Sequence, residues 1–177
     1  MAKLEVITYG NPILRQKAQP VKKIDDRIKT IVNDMMEALA EEEGIGLAAP
    51  QVGISKRIVV IDLSKSGQHT RMALINPEIV FFSSDRVLYQ EGCLSIPDVW
   101  GDVYRPSMIR VKAKTIMGKS ILLEADDILA RVLQHEIDHL NGKLFIDYLS
   151  AEDREKNAEK IAAILEENRK KLGNVAL

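Results

Sequence analysis

The sequence predicts an α+β fold, with antiparallel or mixed β-sheets packed around a central helix that carries His-Glu-Ile-Asp-His, and a further helix at the C-terminus. Three observations predict it: an amphipathic helical repeat near the start, a middle dense in β-branched residues and turn signals, and two helical patterns at the end. At 177 residues the chain can build one core and is too short to expect two, so residues 1–177 are read as a single domain.

The first helix is expected over Asp25–Glu43. Ile28, Ile31, Val32, Met35 and Leu39 recur there at helical spacing, Asp25 or Asp26 is a fitting cap, and Gly44 stops the run. The following stretch from Gly44 to Gly53 is small and apolar, with three glycines and a proline, which predicts an ordered loop. Strands are expected at Arg57–Leu63, Met72–Asn76, Glu78–Phe82, Arg86–Gln90, Asp102–Arg105, Met108–Thr115 and Ser120–Glu124, the last two joined by a hairpin turn at Met117-Gly118. Asp126 is placed to cap a helix running to Asn141, with Gly142 as its stop. A last continuous helix is expected over Ala151–Leu172, mostly solvated, with a narrow stripe of Ile161, Ile164, Leu165 and Leu172.

Lysine and arginine total 25 against 26 aspartates and glutamates, a net charge of -1. That balance lacks the concentrated positive field that DNA or an anionic membrane would require of its main partner. The first ten residues lack the apolar core of a secretory signal, and no run approaches the ~20 apolar residues needed to span a bilayer, so a cytoplasmic location is expected. Cys93 is the one cysteine, which excludes an intrachain disulfide and leaves a buried small residue, a metal ligand or a nucleophile as its reading.

Chemistry concentrates at residues 135–139. Two histidines four apart lie one turn above each other on a helix, so His135 and His139 can reach one ion, with Glu136 at the edge of that face beside a water on it. On a helical wheel Ile128, Leu129, Val132, Leu133, Ile137 and Leu140 share the arc of His135, Glu136 and His139, while Ala130, Arg131, Gln134, Asp138 and Asn141 take the opposite side. An inward carboxylate needs compensation, and a divalent cation supplies it. The bland alternatives are hydrogen-bonded core histidines or a closed structural zinc site, which needs four ligands. The third histidine, His69, sits among turn residues and reads as solvated. An open site needs a third protein ligand, and Cys93 in Glu91-Gly92-Cys93-Leu94-Ser95 is the best candidate, with Gly92 allowing the tight bend that aims the sulfur.

Three segments, Gly44-Ile45-Gly46-Leu47-Ala48-Ala49-Pro50-Gln51, Glu91-Gly92-Cys93-Leu94-Ser95 and His135-Glu136-Ile137-Asp138-His139-Leu140-Asn141-Gly142, together resemble the peptide deformylases, in the same order and over nearly the full chain. The resemblance implies a bacterial or organellar enzyme with a helical C-terminus that removes the formyl group from N-formylmethionyl nascent chains. It implies Cys93, His135 and His139 as ligands of one Fe2+, replaceable by Zn2+ or Ni2+, with Glu136 as proton carrier and Gln51 and the Leu94 amide as oxyanion donors. It also implies a transient ribosome contact through the C-terminal helix.

The residues themselves fit those roles. A bound metal acidifies its water and polarises a carbonyl, and the developing oxyanion needs donors already in place. Gly44 and Gly46 allow close approach of a peptide that binds as an added strand. Ile45, Tyr89, Ile128 and Val132 are candidate walls for the methionine side chain, although core packing explains Ile128 equally well. Glu91 and Gly92 complete the substrate-binding candidates, and Glu91 is placed to pair with Arg105 and order the cysteine strand. Some family members carry a basic residue soon after the cysteine segment; this chain has Asp98-Val99-Trp100, with Trp100 either a rim group or a core residue. The rival readings are a HExxH peptidase that cleaves internal bonds and a non-enzymatic metal or ribosome-associated module.

Overall fold

The computed structural model describes residues 3–177 and is an α+β fold. Helix α1 (Asp26–Glu41) is capped by the Asp25 side chain, which accepts from the Ile28 amide. Strands β1 (Gly46–Ala48), β2 (Ile58–Asp62), β3 (Arg71–Phe82), β6 (Met108–Lys114) and β7 (Ser120–Asp126) form a five-stranded sheet in the order β1-β2-β3-β6-β7. Strands β4 (Val87–Cys93) and β5 (Ile96–Arg105) form a separate two-stranded ribbon. All these strand pairs are antiparallel, and one isolated parallel bridge joins Gln19 to Lys56.

Alternation along β2 shows why its apolar run is continuous. Ile58 and Val60 pack toward α1, while Val59 and Ile61 pack toward helix α2 (Asp127–Leu140), so the strand is buried on both faces. The ribbon has a third apolar cluster of its own, built from Ile96, Val99 and Val103 with Phe145, Ile146, Leu149 and Ile164 of the C-terminal segment. Helix α2 thus lies between the large sheet, which it packs against directly, and the ribbon. No helix among the described residues is long and apolar enough to cross a membrane.

Several expected boundaries move, each for a local reason. Helix α1 stops at Glu41, with Glu42 as its C-cap, so Gly44 is not the terminator. The expected loop after it is instead strand β1 followed by a 3-10 turn at Ala49–Val52, because the Gly46–Ala48 backbone pairs with Val59–Ile61. The two expected strands around Pro77 are one strand, β3, whose register shifts between Ile75 and Glu78. Asn76 takes a left-handed φ of 52° there, and its amide bonds both the N–H and the C=O of Val21. Strand β5 begins at Ile96 rather than Asp102. Asp126 occupies the N-cap of α2 but its side chain makes no capping hydrogen bond. The last helix is two, α3 (Ala151–Lys156) and α4 (Ala158–Leu172), broken at Asn157, whose side chain donates to the carbonyls of Trp100 and Asp153.

Near the N-terminus, Arg15 holds Asp147 bidentately at 2.8 and 2.9 Å and also donates to the Gly142 carbonyl. Burial alone would raise the Asp147 pKa, but hydrogen bonds from Arg15 and the Leu144 amide outweigh it and hold the carboxyl below its ordinary 3.8. A depressed carboxyl stabilises the fold above its unfolded-state value, and that stability drains as pH falls through the folded-state value. The drop in thermal midpoint on acidification below 3.8 is therefore expected to be smaller in Arg15→Met than in the parent, as read by calorimetry across a pH series.

Candidate metal centre and peptide recess

Helix α2 sets two imidazoles one turn apart, both buried, with His135 and His139 ring centroids 5.2 Å apart. Cys93 arrives from the other body of the fold, at the last position of β4, just after a register shift between Gly92 and Cys93 re-aims the strand. One donor atom from each of Cys93, His135 and His139 lies within 4.8 Å of the other two, and Cys93 Sγ is 3.4 Å from His139 Nε2. The donors therefore come from a strand and a helix, not from the motif helix alone.

The donor set fits a divalent cation. Tetrahedral bonds of about 2.3 Å to sulfur and 2.1 Å to nitrogen separate two donors by about 3.6 Å, close to the observed 3.4 Å. Beside them the Glu136 carboxylate is 4% exposed. Its Oε2 is buried without a hydrogen-bond partner, as is His139 Nδ1. Burial pushes the Glu136 carboxyl up to about 7, with the nearby His135 charge opposing. Burial, followed by the charge of His135, lowers the His139 pKa well below 6.5, which keeps that ring neutral and able to ligate.

Glu91 orders His135. As an ionised carboxylate it can only accept, so His135 Nδ1–H donates to Glu91 Oε1 at 2.9 Å and turns Nε2 toward the other donors. Arg105 grips the same carboxylate through Nε at 2.6 Å and NH2 at 2.9 Å, and Arg131 adds a contact of 2.7 Å. Burial works to raise the Glu91 pKa, but the bonds from His135 and Arg105 prevail and hold it far below the usual carboxylate range. Arg105 also reaches across to Asp138 at 2.9 Å. The expected Glu91–Arg105 pair is thus present, inside a larger network.

Gln51 is buried in the 3-10 turn after β1. Its Oε1 accepts from the Ala48 amide at 2.9 Å, which turns Nε2 toward Cys93 Sγ at 3.5 Å and Ser95 Oγ at 3.2 Å. Leu94 lies in the turn between β4 and β5, and its side chain fills the space where Gly44 has none. Gly44, Ile45, Gly46, Tyr89, Gly92, Ile128 and Val132 all line one recess of about 600 Å3, together with Glu91, Cys93, His135 and Glu136. Trp100 is 57% exposed on the recess rim, with its ring over Gly92. His69 is exposed in the segment between β2 and β3, away from this cluster.

The helical wheel passed over two groups that matter. Arg131 and Asp138 fall on the side opposite the histidines, yet both turn to the ribbon, Arg131 onto Glu91 and Asp138 onto Arg105. Gln134, on that same side, is buried and donates to the Pro106 carbonyl. In the sequence the signal was the recurrence of Arg131, Gln134 and Asp138 at i, i+3 and i+7, which puts three polar groups on one helix face.

A histidine pair and a strand cysteine converging beside an unpartnered glutamate on an α+β frame place the chain among the metal-binding hydrolases. Residues 3–155 match the polypeptide deformylase family. The chain is 50% identical over 161 residues to a peptide deformylase of Polynucleobacter necessarius, covering 91% of this chain and 94% of that one. It is 47% identical over 148 residues to one of Bartonella tribocorum, covering 82% and 83%. Among solved structures, a peptide deformylase from Synechococcus elongatus in complex with actinonin superposes with a TM-score of 0.84 at 44% identity, over 89% of this chain and 87% of that one. A plant peptide deformylase gives a TM-score of 0.92 at 32% identity, over 98% and 95%. The chain belongs to the peptide deformylase family.

At Gly46 an added Cβ would stand 2.8 Å from Val132 Cγ1 and 2.9 Å from Glu136 Cγ. Gly46→Ala is expected to destabilise by about 1–3 kcal/mol through overpacking, measured as a lower urea midpoint. An unchanged midpoint would mean that Val132 and Glu136 move aside freely.

Proposed function

We propose that this enzyme removes the N-formyl group from the N-terminal formylmethionine of newly made polypeptides and releases formate. The observation that carries the reading is the convergence of Cys93, His135 and His139 beside the unpartnered Glu136 carboxylate, in a chain of this family. We read α2 as the central helix about which sheet, ribbon and site are arranged, within one catalytic domain over residues 1–177.

Cys93, His135 and His139 would hold one Fe2+, with Zn2+ or Ni2+ able to replace it; both thiolate and imidazole suit such ions. When bound, the cation supplies a Lewis acid for the formyl oxygen and a more acidic water. Glu136 takes the proton from the attacking water and hands it to the departing amine, a task that its free Oε2 permits. The C–N bond breaks, leaving formate and a free α-amine. Gln51 Nε2, held by the Ala48 contact, and the Leu94 amide are the donors we assign to the oxyanion. The peptide backbone lies as an added strand between the Gly44–Gly46 segment and the free edge of β4 at Glu91 and Gly92. Ile45, Tyr89, Ile128 and Val132 wall the slot for methionine.

The setting we infer is the bacterial cytoplasm, in line with the bacterial relatives. We assign the ribosome contact to α4, whose last turn carries Arg169, Lys170 and Lys171, a charge suited to an anionic surface.

Anaerobically prepared, Fe2+-loaded protein is expected to release formate from formyl-Met-Ala and to leave an unformylated oligopeptide intact; the reverse pattern would identify a peptidase. Glu136→Ala should nearly abolish formate release while the ion stays bound, as shown by metal analysis of the same sample. Cys93→Ala should instead lose metal on dialysis, because one donor of three is gone. Retention equal to the parent would remove Cys93 from the ligand set.

A further inference from the structure

Helix α2 and the β4–β5 ribbon belong to different bodies of the fold, and the recess opens between them. Arg131 crosses that gap. From α2 its NH1 donates to Glu91 Oε2 at 2.7 Å and to the Val103 carbonyl at 3.0 Å, and its NH2 donates to the Val87 carbonyl at 2.7 Å. The guanidinium also lies 5.7 Å from the centroid of the Tyr89 ring. One side chain therefore touches both strands of the ribbon and a proposed wall of the methionine slot.

The charged head is committed to these acceptors, and Arg131 also lines the recess, so the part left to face a ligand is its methylene stem. Glu91 does not depend on Arg131 for its grip on His135, because Arg105 alone holds both of its oxygens. The role left to Arg131 is geometric: it fixes the distance between helix and ribbon on either side of the slot. We infer that Arg131 is a positioning residue that sets the width of the methionine slot by pinning the Val87–Glu91 strand and the Tyr89 ring to α2. This rests on the deformylase reading of the site.

The test uses metal-loaded full chain, formyl-Met-Ala and formyl-Ala-Ala. For Arg131→Met we expect KM for formyl-Met-Ala to rise about tenfold, as for the loss of one or two hydrogen bonds, with kcat within about threefold. The preference for formyl-Met-Ala over formyl-Ala-Ala should shrink by a similar factor. Metal content, and the thiolate absorption of the Co2+-substituted protein, should match the parent. Arg131→Lys keeps the charge but not the three-way fork, and should not restore KM. An unchanged KM and preference in both variants would overturn the inference, as would full rescue by lysine. A matched fall in kcat with loss of metal would also overturn it, by placing the effect at the metal centre. If the parent releases formate from neither peptide, the deformylase reading fails instead.

Discussion

Burial of the Glu91 carboxylate is the constraint on which the site depends. Four hydrogen bonds converge on it: two from Arg105, one from Arg131 and one from His135. A buried ion pair contributes little net stability over an apolar replacement, but removing one partner costs several kcal/mol. The value of the network here is geometric. Each body gives the other one arginine and one carboxylate: the ribbon offers Arg105 and Glu91, and α2 offers Asp138 and Arg131. Because α2 packs its backbone against the large sheet, the Arg105–Asp138 and His135–Glu91 contacts set how closely the strand that carries Cys93 approaches the helix that carries the histidines, while Arg131 reaches the Val87 end of the ribbon.

The same site contains a second carboxylate with the opposite fate. Glu91 is surrounded by donors and stays ionised, while Glu136, equally buried, has an oxygen with no donor and a pKa raised to about 7. Two acids of one chemical type are thus divided into a structural anchor and a group that can take up a proton near neutrality. Sequence position alone does not predict the division. It follows from which elements present cations to each: the ribbon and α2 both point arginines at Glu91, and neither points one at Glu136 within bonding distance.

What was legible in the sequence was whatever local periodicity encodes. The i, i+4 spacing of His135 and His139 fixed their shared face, and the β-branched run at Arg57–Leu63 marked a strand, which the structure buries on both faces. What escaped depends on distant partners. Gly46–Ala48 looks like loop chemistry until β2 supplies its hydrogen bonds. The break at Asn157 has no local mark, since it follows from a side-chain bond to Trp100, far off in the chain. Arg131 and Asp138 read as a solvated helix side because their counter-charges stand on strands whose placement no helical wheel contains. The three resembling segments line one recess, whereas two members of the network that braces it, Arg105 and Arg131, lie outside all three.

The ribbon's isolation has a consequence for how a peptide is received. A two-stranded hairpin is marginal alone. Its β5 side leans on the C-terminal segment, through Asn157 to the Trp100 carbonyl and Lys160 to the Asp98 carbonyl. Among the described residues its β4 side has no strand partner, and Val87–Gln90 are exposed. An extended peptide laid along β4 would complete a third strand and satisfy backbone groups that otherwise face water, gaining affinity without any particular side chain beyond the first. That suits an enzyme whose substrates share only their formylated first residue. On that reading the recognition that varies little, backbone and methionine, would fall to the braced edge and the recess, and the variable remainder of the chain would extend into solvent.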